Sequence, residues 1–215
     1  MLFRSIVDGT IALADLSATG TKDSTTFLRG DNTFATVSSD FVKLATTNST
    51  TGTASLDLSF STVDYDTFFI SANDIYCATT GAGIAIKVST NSGSSYVNCL
   101  GTMQLGMQHN NGANILNPYS GATGNNNTTQ FYITDDIHNS GTRTVCLNGW
   151  LNNSKNSYAP HMTIFNNSMK TAANYFQQSW TSAQFDTTSK INYISFYNTS
   201  AYNMYGNITI WGLKK

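Results

Sequence analysis

The stretch that decides the fold class is Ile84-Ala85-Ile86-Lys87-Val88, followed by Asn91-Ser92-Gly93-Ser94-Ser95 and then Tyr96-Val97. Its first five residues alternate between large apolar side chains and smaller or charged ones, which is the period of a half-buried β-strand. The polar run contains glycine and is typical of a turn, after which a strand pattern resumes. The stretch therefore predicts a β-hairpin.

Similar strand patterns recur from residue 54 onward, with turn-forming residues between them. Leu56, Leu58 and Phe60 alternate with polar residues in the same way. The repetition predicts an all-β protein with a single antiparallel β-sandwich knob, jelly-roll-like, over residues 54–215. Residues 105–129, rich in Asn and Gly, are expected to be mainly a loop at the edge of this knob, and 171–180 is ambiguous between helix and strand. The other strand patterns lie at residues 67–70, 130–134, 142–151, 162–165, 191–197 and 207–212.

Residues 1–38 have a different character from the knob. They consist of short apolar fragments separated by Gly, Asp and Thr, and none of these fragments can bury itself. We expect an extended arm that lies on a partner or winds around copies of itself, joined to the knob by a polar linker at residues 39–53. The apolar residues of the arm that are candidates for attachment or trimer contacts are Ile11, Leu13, Leu16, Phe27, Leu28 and Phe34.

The composition of the 215-residue chain excludes several functional classes. Charged residues are only 11% of the chain and the formal net charge is −1, so a nucleic-acid partner is not expected. Nowhere do 18 consecutive apolar residues occur, so membrane insertion is not expected, and no signal peptide is recognisable. Three widely spaced cysteines, Cys77, Cys99 and Cys146, predict buried free thiols rather than disulfides or a zinc site. No cofactor or metal is expected.

Candidate chemistry is sparse, and the chain is not expected to be an enzyme. Asp135-Asp136 with His138 is the most catalytic-looking cluster, but adjacent strand residues face opposite ways and a turn signal follows. Arg29-Gly30-Asp31 is interpreted as part of a turn rather than a recognition motif. Trp150, Trp180 and Trp211 are expected in the core or at its rim. Tyrosine rings and amides can together hold sugars, so the candidate glycan contacts are His109, Asn110, Asn111, Asn114, Asn117 and Tyr119.

Two segments resemble structural proteins of tailed bacteriophages. Residues 15–21, Asp-Leu-Ser-Ala-Thr-Gly-Thr, and 24–35, Ser-Thr-Thr-Phe-Leu-Arg-Gly-Asp-Asn-Thr-Phe-Ala, resemble a module common in tail-fibre and appendage proteins, with departures at Lys22-Asp23, Phe34 and Val37. The ending at 206–214, Gly-Asn-Ile-Thr-Ile-Trp-Gly-Leu-Lys, is similar to the last strand of the β-sandwich knobs in such proteins. The resemblance implies a homotrimer with the arm in attachment or trimerisation and the sandwich displayed outward.

The expected function is that of a virion structural protein, assembled in the host bacterial cytoplasm and located at the virion surface. In one hypothesis it is a tail fibre or receptor-binding appendage whose knob faces the host and binds surface polysaccharide. In the other it is a capsid decoration or cement protein that clamps capsid proteins and stabilises the shell. The module favours the tail hypothesis and the short arm favours the capsid hypothesis. The partners expected are copies of itself, capsid or tail proteins, and host polysaccharide.

Overall fold

The computed structural model describes residues 18–21, 23–36, 39–79, 82–110, 113–121, 128–137, 144–153, 159–169 and 176–215. The chain divides into two compact units, Met1–Ser39 and Asp40–Lys215. Ile11, Leu13, Leu16, Asn111 and His138 lie outside the described residues.

The described part of the first unit is a small hairpin. Strands β1 (Thr26–Leu28) and β2 (Phe34–Thr36) pair antiparallel. The Asn32 amide donates to the Arg29 carbonyl at 3.0 Å, and the Arg29 amide donates to the Thr33 carbonyl at 2.8 Å. The Asp31 carboxylate accepts from the hydroxyl and amide of Thr33, and these bonds help to hold its pKa below the ordinary value. The Arg-Gly-Asp sequence is thus a turn, as predicted, and the described part of the arm doubles back on itself.

The second unit is a sandwich of an eight-stranded and a four-stranded antiparallel sheet, so the predicted all-β class is confirmed. Its strands are β3 (Phe41–Thr53), β4 (Ser55–Ser59), β5 (Tyr65–Cys77), β6 (Ala82–Ser89), β7 (Cys99–Asn110), β8 (Ala113–Gly121), β9 (Phe131–Ile137), β10 (Val145–Asn152), β11 (His161–Met169), β12 (Phe176–Phe185), β13 (Tyr193–Asn198) and β14 (Met204–Lys214). The eight-stranded sheet has the order β3-β14-β5-β10-β11-β12-β7-β8, and the four-stranded sheet has the order β4-β13-β6-β9.

The core lies between the inner faces of the two sheets. Leu56 and Leu58 of β4 and Ile84, Ile86 and Val88 of β6 are buried as their alternation predicts. The opposing sheet contributes a second set of buried apolar side chains, among them Phe68, Ile70, Leu147, Leu151, Met162, Ile164, Phe185, Ile208 and Ile210. Apolar burial of this kind is the main favourable term in folding.

Three predictions about local structure are wrong, and one that was left open is decided. The linker at 39–53 is largely β3, because Val42, Leu44 and Ala45 pack against the core and β3 pairs with β14. Much of the expected 105–129 loop belongs to the paired strands β7 and β8. The ambiguous window ends in β12, which is a strand. The 84–97 hairpin does not form: the Val97 amide bonds the Val88 carbonyl, but the chain then crosses to the other sheet.

Two ion pairs to Asp66 connect the C-terminal residue and Lys190 to the start of β5. Lys190 Nζ lies 2.5 Å from Asp66 Oδ1, and Lys215 Nζ lies 3.1 Å from Asp66 Oδ2. Lys190 also donates to the carbonyls of Thr62 and Tyr65, both at 2.9 Å. These contacts join the residues around the start of β5 to the end of β14.

The cysteines are free thiols in strands, and their predicted burial is confirmed for two of the three. Cys77 and Cys99 are buried and Cys146 is half-buried. Burial raises the pKa of Cys77, and it raises the pKa of Cys99 to about 11. Neither buried thiol is therefore present as the reactive thiolate at neutral pH.

Candidate functional site

Part of the eight-stranded sheet carries its apolar side chains on the outside. On β7, Met103, Leu105 and Met107 are 66%, 49% and 44% exposed, whereas Gln104 between them is buried. On β12, Trp180 is 57% exposed. With Phe165 of β11 these five residues form what we call the methionine patch.

The methionine patch encloses a shallow furrow. The furrow has a volume of about 210 Å³ and runs between Leu105, Met107, Phe165 and Trp180, with Gln178 at one side. The rings of Phe165 and Trp180 lie 5.5 Å apart at their centroids. Since the lining is almost entirely apolar, the furrow suits an apolar side chain.

The inner face behind the methionine patch is polar. Asn166 Nδ2 donates to the Ile133 carbonyl at 2.5 Å and to Ser179 Oγ at 2.5 Å. Gln104 Nε2 donates to the same carbonyl at 3.3 Å. These side chains are buried, so their hydrogen bonds limit the free energy lost on leaving water.

A second aromatic group lies on the outer face near the other edge of the same sheet. Phe69 of β5 lies between Trp150 and Trp211, with ring centroids 5.0 Å and 5.6 Å apart, and Phe41 stacks on Trp211 at 6.0 Å. Trp150 is 44% exposed. The tryptophans are expected in the core or at its rim, and none of the three lies in the core: Trp150 and Trp180 are exposed on the outer face, and Trp211 is half-buried there.

The outer face of the four-stranded sheet has a different chemistry. Tyr193, Ser195 and Tyr197 of β13 alternate with the buried Ile194 and Phe196 and therefore point outward. Across the sheet, Ser195 pairs with Asp57 of β4 on one side and Lys87 of β6 on the other. Completed by Tyr96, Gln130 and Tyr132, this set is called the tyrosine face.

Contacts between rings and polar groups order the tyrosine face. Lys87 Nζ lies 4.2 Å from the Tyr197 ring centroid and 5.3 Å from that of Tyr96. The Tyr197 hydroxyl donates to Gln130 Oε1, and Gln130 Nε2 bonds the Tyr132 hydroxyl at 3.0 Å.

Electrostatics keeps two of these tyrosines protonated. Burial and then the nearby Asp57 carboxylate raise the pKa of Tyr193. Burial, followed by Tyr132, raises the pKa of Tyr197. Both hydroxyls therefore keep their proton and can donate a hydrogen bond at any physiological pH.

The predicted glycan residues lie on the backbone of the outermost hairpin. His109 and Asn110 belong to β7, and Asn114, Asn117 and Tyr119 belong to β8, at the edge of the eight-stranded sheet. Their side chains are outside the described part of the structure, as is Asn111 altogether. The structure thus brings five of these residues to one hairpin.

The arm residues that the structure describes are partly uncovered. Phe27 and Leu28 are 46% and 45% exposed, and Phe34 is half-buried. In the part of the chain that is described, no group of three or more His, Cys, Asp or Glu residues is placed to hold a metal ion. Among the same residues there is no helix with the length and apolar character needed to cross a bilayer.

Sequence reasoning missed both faces, although one had a readable signal. Ile86-Lys87-Val88 and Tyr193-Ile194-Ser195-Phe196-Tyr197 alternate, so their outward residues could have been grouped as one surface. The methionine patch had no such signal, because the alternation of β7 predicts the opposite orientation. No protein-family model, curated protein or solved structure matches this chain.

Proposed function

We propose that this chain is a structural protein of a tailed-bacteriophage particle, a tail fibre or receptor-binding appendage. Its arm attaches it to the particle, and its knob associates with copies of itself through the methionine patch and faces the host surface. The observation that carries the proposal is the exposed row Met103, Leu105 and Met107 beside Trp180. The resemblance of residues 15–35 to the phage appendage module supplies the biological setting.

The methionine patch has the chemistry of a protein contact. Exposed contiguous apolar surface marks interaction sites, and methionine and aromatic residues are enriched in interface cores. A flexible methionine side chain also adapts its shape to a facing surface. Since the patch itself holds no charged residue, two copies can approach it without like-charge repulsion or the desolvation of an ion.

A closed assembly of identical chains is the partner that fits best. The neighbouring outward side chains of β10, β11 and β12 are also uncharged, among them Asn148, Asn167 and Ser182. Closed point-group symmetry buries such surfaces without open-ended growth. Threefold symmetry follows from the resemblance to phage appendage proteins.

The arm is proposed to bind another virion protein. Phe27 and Leu28 remain nearly half exposed on a hairpin that is too small to cover them. Two-stranded hairpins have little stability on their own, so a supporting surface is expected.

A capsid decoration protein is the alternative. A wide, uncharged sheet face would also suit packing against a protein shell. The two functions differ in copy number: a tail appendage is present as a few trimers per particle, and a decoration protein in numbers comparable with the major capsid protein. Quantitative mass spectrometry of purified virions distinguishes them, and absence of the protein from virions would refute both.

The association is tested with the full-length chain by sedimentation velocity. Wild type should sediment as a trimer, and Met103→Ser combined with Trp180→Ser should shift the population toward monomer. Val63→Ser is the matched control, because Val63 is 78% exposed but lies outside the methionine patch. A monomeric wild type, or a double variant that stays trimeric like the control, would refute the role of the patch.

A further inference from the structure

We propose that Met103 and Met107 are sites of oxidation by hydroperoxides, and that their conversion to methionine sulfoxide stops the methionine patch from binding an apolar surface. The inference deepens the proposed function, because it rests on the patch as a contact surface and assigns a chemical control to it. The co-reactant is hydrogen peroxide or an organic hydroperoxide.

The two sulfurs are far more accessible than those of two other methionines in the knob. Met103 and Met107 are 66% and 44% exposed, whereas Met162 and Met204 are 0% exposed. The Met103 side chain lines a shallow groove of about 510 Å³ on the same sheet, and Met107 lines the furrow of about 210 Å³. A hydroperoxide can therefore reach both exposed sulfurs in the folded chain, while the buried pair react only when the fold opens.

The reaction transfers one oxygen atom and two electrons. The thioether sulfur attacks one peroxide oxygen, and the O–O bond breaks as the S–O bond forms. The proton of the transferred hydroxyl passes to the leaving oxygen, which departs as water or, from an organic hydroperoxide, as the alcohol. Sulfur is oxidised and the peroxide is reduced. A flexible apolar side chain thereby becomes a polar, chiral one.

The two methionines flank the exposed indole of the patch. Leu105 lies directly opposite Trp180 in the ladder between β7 and β12. Met103 and Met107, two residues before and after Leu105, are therefore the diagonal neighbours of the indole. Diagonal neighbours across a strand pair are within reach of aromatic and long side chains. Oxidation at both positions thus places sulfoxides at both ends of the apolar row, beside Trp180.

An apolar contact cannot satisfy a sulfoxide oxygen, which is a hydrogen-bond acceptor. On the free chain this oxygen is bonded by water, but covering the patch with an apolar surface removes that water at a cost in free energy. The amide opposite Met107 in the ladder, Gln178 Nε2, already donates to Asn167 Oδ1 at 2.9 Å. Oxidation therefore weakens the contact while the knob stays folded, because both methionines project away from its core. An assembly would cover the same sulfurs, so the reaction acts on the unassembled chain.

The test treats the full-length protein with dilute hydrogen peroxide at a protein concentration low enough to disfavour self-association. Peptide mapping by mass spectrometry follows the oxidation of each methionine with time. Met103 and Met107 should be oxidised at least about tenfold faster than Met162 and Met204. Oxidation of the buried pair at the rate of the exposed pair would overturn the proposal.

The dye 1-anilinonaphthalene-8-sulfonate reports exposed apolar surface whether or not the chain self-associates. Oxidised wild type should lose at least about a third of its dye fluorescence, and its self-association should weaken at least about tenfold. Far-UV circular dichroism should be the same before and after treatment. A folded, doubly oxidised chain with undiminished dye fluorescence would overturn the proposal.

A matched variant assigns the effect to these two sulfurs. Met103→Leu combined with Met107→Leu keeps apolar side chains of similar volume but removes both oxidisable sulfurs. Peroxide should therefore leave the dye fluorescence and self-association of this variant at their own untreated values. The half-buried thiol of Cys146 is present in both proteins, so an effect through that thiol would appear in both. A variant that responds to peroxide as wild type does would contradict the assignment.

The outcomes separate this inference from the proposed assembly. A wild type that never self-associates would refute the assembly, while selective oxidation with loss of dye binding would leave the inference standing. A wild type that self-associates equally well before and after complete oxidation of Met103 and Met107 would overturn the inference and leave the assembly in place.

Discussion

Replacing Asn153 with alanine removes a side chain that acts as one rung of a β-ladder. Asn153 Nδ2 donates to the Ile191 carbonyl at 2.8 Å, and the Ile191 amide donates to Asn153 Oδ1 at 2.9 Å. Both residues have 0% exposed surface, so water does not take the place of the lost partner. Each of the two buried Ile191 groups left without a partner costs about 1–3 kcal/mol, so the free energy of unfolding should fall by about 2–6 kcal/mol.

The measurement is equilibrium unfolding of the full-length chain in guanidinium chloride. Wild type and variant are compared at one protein concentration, because association also contributes to apparent stability. Asn148→Ala is the matched control: it removes an asparagine from the exposed side of β10, and its effect should stay within about 0.5 kcal/mol. A loss below about 1 kcal/mol in Asn153→Ala would show that Ile191 is not held in this way.

Three further predictions concern other parts of the molecule. Burial alone would raise the pKa of Asp66, but hydrogen bonds and charges from Lys190 and Lys215 hold this pKa below its ordinary value. The ionised carboxylate therefore stabilises the fold above the unfolded-state pKa, and this stabilisation is lost as pH falls through the folded-state pKa. Asp66→Asn should be less stable than wild type at neutral pH, and the difference between their melting temperatures should shrink below about pH 4. In Gly149→Ala the new Cβ would lie 2.2 Å from Ile164 Cδ1 and 2.6 Å from the Thr163 carbonyl oxygen, so chemical denaturation should show a loss of about 1–3 kcal/mol, while Gly101→Ala, with nothing within 4 Å, should be nearly neutral. Deleting residues 1–39 should leave the melting temperature of the knob unchanged. It should abolish binding of the protein to virions that lack it, as measured by co-sedimentation. If the truncated knob still binds, then the knob and not the arm attaches the protein to the particle.

The sequence predicted the parts of the fold whose inner side chains are apolar. Leu56, Leu58, Ile84, Ile86 and Val88 alternate with outward residues, and a period of two has only one structural meaning over such a length. Pairing between distant segments was not predictable in this way. β3 reads as a linker because its residues 46–53 are polar, and it is a strand only because β14, some 160 residues later, offers an unpaired edge.

The candidate surfaces were less predictable than the fold. The tyrosine face joins residues from four strands and two loops, and no local sequence pattern predicts that β4 and β6 lie on either side of β13. The Asn and Gly residues in 105–129 predicted a loop, because these residues favour turns. In the structure, the hydrogen-bonded pairing of β8 with β7 outweighs this local preference. Local propensity is a weak guide wherever a neighbouring strand decides the conformation.

The outward position of the methionine patch is fixed by the rest of its own strands. A shift of β12 by one residue would turn Trp180 inward and Ser179 outward, which would restore an ordinary apolar core at that end. The same shift would expose Ala183 and Phe185, which are 3% and 0% exposed and have the same parity as Ser179. The same constraint holds for β11, because Met162 and Ile164 lie on the same side of the strand as Asn166. A shift that turned Asn166 outward would also expose these two apolar side chains. The ladders between β11, β12 and the adjacent part of β7 are continuous through the patch, so one strand cannot shift without the others. Each of these strands therefore points its apolar side chains toward the core at one end and toward the outside at the other. The outward apolar side chains contribute to stability only when a second surface covers Trp180 and its neighbours.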